Sequence, residues 1–141
     1  MTDESPKLQM PNDKQYQSNN NPNNKQPYDL EERTLTYAKA VNEYVKKLPW
    51  NISNSENGKQ LVRAAGSVGA NYIEANEALS KKDFGLRIKI SRKEAKESRY
   101  WLFLTEPNKT KIIIKDKLIK EAGELTKILS AILLKCTYFK F

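Results

Sequence analysis

The sequence predicts an all-α fold, an antiparallel up-and-down bundle of four helices behind a disordered N-terminal tail. Three observations carry this. Apolar residues recur at helical spacing in four successive stretches between residues 29 and 136. Capping residues and prolines punctuate those stretches. Strand signals are nearly absent: Ile112-Ile113-Ile114 reads as a β-like run, but it is too short and isolated to build a sheet. Four helices with short connections then close into an up-and-down bundle.

The tail comes first. Residues 1–29 carry four of the six prolines (Pro6, Pro11, Pro22 and Pro27) and ten Asn or Gln. Such a stretch buries too little apolar surface to offset chain entropy, so residues 1–28 are expected to be disordered and 29–141 to form the bundle. The tail has no apolar stretch of the kind that makes a secretory signal, and no window is long enough to span a membrane, which points to the cytoplasm.

The first helix opens at Asp29, with Glu32 three positions on as an acidic capping box. Its inward residues are Leu30, Thr34, Tyr37, Val41, Tyr44 and Leu48, and Pro49 stops it. Ser53 and Glu56 form a second box. The helix they open is predicted to run to about Leu79, with Leu61, Ala65, Val68, Tyr72, Ala75 and Leu79 inward. Another of its faces carries Val62, Gly66, Gly69 and Ile73. Each glycine inside a helix costs about 1 kcal/mol relative to alanine, so close approach of another backbone is expected there, within the chain or from a second subunit. Ser80 and Asp83 cap a third helix over about 81–105, bounded by Pro107, with Phe84, Ile88, Ser91, Ala95, Ser98 and Leu102 inward. The fourth starts between Lys111 and Asp116 and runs to about Cys136, burying Leu118, Ala122, Leu125, Leu129 and Ile132.

The charge bears on function. The chain carries 25 basic and 17 acidic residues, a formal +8. Residues 1–29 hold three lysines against four carboxylates, so the remainder holds 22 basic and 13 acidic residues, a net +9. That balance favours acidic partners, nucleic acid above all. There is no histidine, and Cys136 is the only cysteine, which excludes His-based catalysis, a disulfide framework and a Cys/His metal site. No cofactor is implied, and no paired acid and base is fixed together; the chain reads as a non-enzyme.

The third helix is the most informative. At about 100° per residue, Lys89, Arg92, Lys93, Lys96 and Arg99 fall within about a third of the circle, with Glu94 and Glu97 outside that arc. Such a face suits phosphates; the plain alternative is a solvated face partly paired with glutamates. The same helix shows a second apolar strip, Leu86, Ile90, Trp101 and Leu104. With the core stripe it covers about half the helix, more than one bundle core requires. The strip reads as a subunit interface, together with Val62, Gly66, Gly69 and Ile73; the alternative is a wide intramolecular core. On the second helix Arg63, Ser67, Asn71 and Glu74 form a polar stripe expected to hydrogen-bond across the bundle. The leading reading is an oligomeric nucleic-acid-binding scaffold. The alternative is an adaptor that docks an acidic protein partner.

Several blocks resemble a known family. Gly58–Ala75 (GKQLVRAAGSVGANYIEA) resembles the second-helix motif of the bacterial four-helix-bundle proteins encoded in intervening sequences of 23S rRNA genes. Ser80–Phe84 (SKKDF) and Lys93–Leu102 (KEAKESRYWL) are similar to that family's third helix, and Asp29–Thr34 (DLEERT) and Leu48-Pro49 fit its first. The resemblance covers residues 29–136. It implies a small, non-enzymatic, left-handed bundle with no catalytic or metal residues. A relative of similar fold, the accessory variability determinant of diversity-generating retroelements, forms a pentameric ring and binds nucleic acid and a reverse transcriptase. The resemblance therefore implies a homopentamer that binds RNA rather than DNA, or an accessory subunit to such an enzyme.

Overall fold

The computed structural model describes residues 29–138, with side chains described to Cys136. Four α-helices follow one another: α1 (Leu30–Lys46), α2 (Ile52–Asn76), α3 (Lys81–Leu104) and α4 (Ile112–Tyr138), the last entered through a short 3₁₀ turn at Lys109–Lys111. Among the described residues there is no strand. The tail at 1–28 and the chain end at 139–141 lie outside the described residues.

Packing fixes the topology. Gly58 of α2 lies against Val45 of α1, and Gly69 lies against Thr34. Eleven residues forward on α2 thus match eleven back on α1, the signature of an antiparallel pair. Two buried hydrogen bonds cross from α1 to α3, Tyr37 Oη to Ser98 Oγ and Tyr44 Oη to Thr105 Oγ1, each 2.7 Å. Here a step of seven residues on one side matches seven in the same direction on the other, so the diagonal helices are parallel. The chain is an antiparallel up-and-down bundle, with α2 and α3 sharing its largest helix–helix interface.

The core explains how α3 admits those tyrosines. Its inward side is small and hydroxyl-bearing: Ser91, Ala95 and Ser98 are fully buried between Ile88 and Leu102. The two large rings of α1 fill the space, and their hydroxyls find partners, as buried tyrosine hydroxyls must. Ser91 Oγ donates 2.7 Å to the Val68 carbonyl of α2. Leu61, Val68, Leu118, Leu125 and Leu129 complete the core.

The predicted inward residues of α1, α3 and α4 are buried or packed against the core. The helix ends differ from the prediction. Asp29 makes no side-chain cap bond. Asn51, not Ser53, caps α2: its side chain accepts the Asn54 N–H at 2.7 Å, and Ser53 Oγ donates to it. The α2 helix stops at Asn76, because Ser80 must be extended to cap α3 at the Asp83 N–H. Leu79, predicted inward, therefore stands in the connection fully exposed. Ile112–Ile114 form the exposed first turn of α4, not a β-like run.

Candidate nucleic-acid interface

The cationic arc of α3 divides into two parts. Lys89 and Lys96 are exposed and Arg92 is half-buried; none makes an ion pair with a described residue. Arg99 lies over the Phe103 ring, 5.0 Å from its centroid, and a Cβ at Gly123 of α4 would lie 3.9 Å from its Nε. Lys93, at the edge of the arc, departs from the prediction. Its Nζ lies 3.5 Å from Glu97 and 3.7 Å from Glu94, and Arg63 of α2 approaches both carboxylates at 4.0 Å. The i,i+4 spacing of Lys93 and Glu97 makes that pairing local. Lys93 therefore belongs to a partly neutralised network and the free cations are Lys89, Arg92, Lys96 and Arg99.

The fourth helix widens the face. Arg99 reaching Gly123 places that part of α4 beside the arc. Lys120 and Lys127, three residues before and four after Gly123, are exposed on the same side of α4 and unpaired among the described residues. Of the carboxylates between them, Glu121 turns elsewhere, holding Arg33 of α1 in a two-pronged bond of 2.7 and 2.9 Å. Asp116 and Glu124 are the acidic residues left near this edge. These α4 lysines escape a one-helix wheel, since only the bundle juxtaposes them with α3.

At its C-terminus α3 is tied down. Lys115 Nζ donates to the Thr105 carbonyl at 2.8 Å and the Phe103 carbonyl at 3.4 Å, a cation on the negative end of the helix dipole. Buried Asn54 donates to the Pro49 and Glu106 carbonyls and accepts the Glu106 N–H, joining two connections to α2.

The predicted interface residues are only partly free. Leu86 and Leu104 are exposed and Ile90 is half-buried, whereas Trp101 packs on the core; its buried Nε1 and Glu94 Oε1 have no hydrogen-bond partner. On α2, Val62 and Ile73 are exposed, and Gly66 has open space around it. Gly69 corrects the prediction: a Cβ there would come within 2.7 Å of Thr34 Oγ1, so its close approach is to α1 of the same chain. The two strips are also not one surface. The stripe of Arg63, Ser67 and Asn71 separates them, with Asn71 receiving an Arg87 bond from α3 at 3.3 Å. Glu74 is exposed and outside that network. Among the described residues no three His, Cys, Asp or Glu gather as metal ligands, and no helix is long and apolar enough to cross a membrane.

Residues 28–131 match the 23S rRNA-intervening sequence protein family. The chain belongs to that family. It is also similar to a crystal structure of a protein of unknown function from the S23 ribosomal protein family of Bacteroides thetaiotaomicron VPI-5482, with 27% identity and a TM-score of 0.58 over 73% of this chain and 96% of that one. No curated protein matches significantly. The matched stretch contains α1, α2, α3 and most of α4, and all residues of the cationic face lie within it.

Proposed function

We propose that this member of the family is a non-enzymatic, oligomeric scaffold that binds nucleic acid, RNA in the first place, in the cytoplasm. The observation that carries the reading is the unpaired cationic face of Lys89, Arg92, Lys96 and Arg99, continued by Lys120 and Lys127. Such a face gains affinity by releasing counterions from phosphates. Electrophoretic or anisotropy titration of RNA against salt is the test. Log affinity should fall linearly with log salt, and Lys89→Gln with Lys96→Gln should lower the slope by about 2 while the fold is retained. Retention that ignores both salt and these substitutions would refute the reading.

Self-association fits the exposed strip Val62, Gly66 and Ile73, which runs toward an apolar groove of 470 Å³ bordered by Val45, Leu48 and the exposed Trp50. A pentamer is the assembly the resemblance suggests. A second reading, an adaptor for a protein such as a reverse transcriptase, is favoured by the other exposed strip, Leu86 and Leu104. Capture of that partner that survives nuclease treatment would select it.

A further inference from the structure

Two aromatic rings stand in the open among the free cations of α3. Tyr100 is 58% exposed and Phe103 is 53% exposed. Lys96 lies one turn before Tyr100 and Arg99 one turn before Phe103, so each ring has a cation that makes no ion pair among the described residues as its i,i+4 neighbour. Both rings are held. The Arg99 guanidinium lies 5.0 Å from the Phe103 centroid, and Tyr100 meets the Trp101 ring edge-on at 5.1 Å and 72°. Trp101 in turn packs on the core. The rings are therefore exposed yet positioned, which lowers the ordering cost of anything that stacks on them.

We propose that the C-terminal half of α3 is a stacking platform for single-stranded nucleic acid, with Tyr100 and Phe103 receiving unpaired bases while Lys96 and Arg99 hold the adjoining phosphates. This rests on the nucleic-acid reading above and narrows it to a substrate class. A duplex keeps its base faces stacked inside and offers a flat ring nothing to cover; phosphate contacts alone would be used. Unpaired bases present their faces, and aromatic rings interleaved with cations are the surface that takes them. Tyr100 and Phe103 each keep more than half of their surface open beyond the contacts that hold them.

The test is fluorescence anisotropy of the full-length protein with a labelled 12-nucleotide single-stranded RNA of mixed sequence and the corresponding 12-base-pair duplex, across salt. Tyr100→Leu and Phe103→Leu keep bulk and apolarity and remove only the flat face. Each should weaken single-strand binding about tenfold, leaving the salt slope and duplex binding unchanged. Phe103→Trp should retain binding. Lys89→Gln with Lys96→Gln should instead lower the slope on both probes. If the leucine variants bind the single strand as the parent does, or the parent prefers the duplex, the stacking platform is refuted while the cationic face stands. If the parent binds neither probe, the nucleic-acid reading itself fails.

Discussion

Asn54 shows how much of this bundle hangs on single polar side chains. All its polar atoms are used: two donations to carbonyls of separate connections and one acceptance from the Glu106 N–H. Asn54→Ala should cost about 2–3 kcal/mol in urea unfolding, because it strands buried partners rather than merely deleting one bond. Asn54→Asp, nearly the same shape, should not restore this, since a carboxylate would face two carbonyl oxygens. Tyr37 gives a pH dependence of known sign. Burial, only partly opposed by the Ser98 hydrogen bond, pushes its pKa up to about 12, and Tyr44 moves in the same direction for the same reason. The folded protein keeps the Tyr37 proton where the unfolded chain, near 10, gives it up. The stabilisation is complete below pH 10 and is lost as pH rises from 10 to 12, by up to about 1.4 kcal/mol per pH unit. Tyr37→Phe should flatten that decline in thermal melts, at a cost of about 1 kcal/mol at neutral pH for the lost hydrogen bond.

Glycine gives a comparable test at the level of helices, because α2 carries two with opposite surroundings. Gly69 abuts buried Thr34, whose hydroxyl is committed to the Glu31 carbonyl and cannot swing aside. Gly69→Ala should therefore separate α1 from α2 and destabilise by about 1–3 kcal/mol. Gly66 faces open space, so Gly66→Ala should stabilise the single chain by up to about 1 kcal/mol through helix propensity alone. Chemical denaturation of the two variants side by side checks both signs. Sequence periodicity revealed that a second face existed on α2 but could not say which glycine met which neighbour, since both lie on nearly the same side of a wheel. The same limit applies elsewhere. The core stripes were legible because burial repeats every turn. The caps at Asn51 and Ser80 differ in legibility because Ser53 offers an equally good local pattern two residues late. Lys120 and Lys127 joined the cationic face only through the α3–α4 packing; the Lys93–Glu97 pair is already legible at i,i+4, whereas the approach of Arg63 to Glu94 and Glu97 needs α2 packed on α3. Wheel angle puts Tyr100 and Phe103 in the arc of the cations, but their exposure and the contacts that hold them are visible only in the folded chain.

At the scale of the whole molecule, one of the two exposed apolar strips lies away from the cationic face. The cations gather on the α3–α4 side, whereas Val62, Gly66, Ile73 and the groove beside Trp50 occupy the α1–α2 side. A bundle that assembled through the α1–α2 side would carry its cationic faces away from the contact, avoiding like-charge repulsion at the interface while multiplying the phosphate-binding sites. Gly66→Glu separates these roles. Nothing lies within 4 Å of the position a side chain would enter, so the single chain should keep its melting behaviour, but a carboxylate in the middle of an apolar contact should be strongly unfavourable. Light scattering should then report a drop to the mass of one chain, and RNA affinity should fall by the loss of multivalency, about 10²-fold or more, with the salt slope per subunit retained. An unchanged mass would move the assembly surface to the α3 strip of Leu86 and Leu104, which lies next to the cations and would make binding and assembly compete.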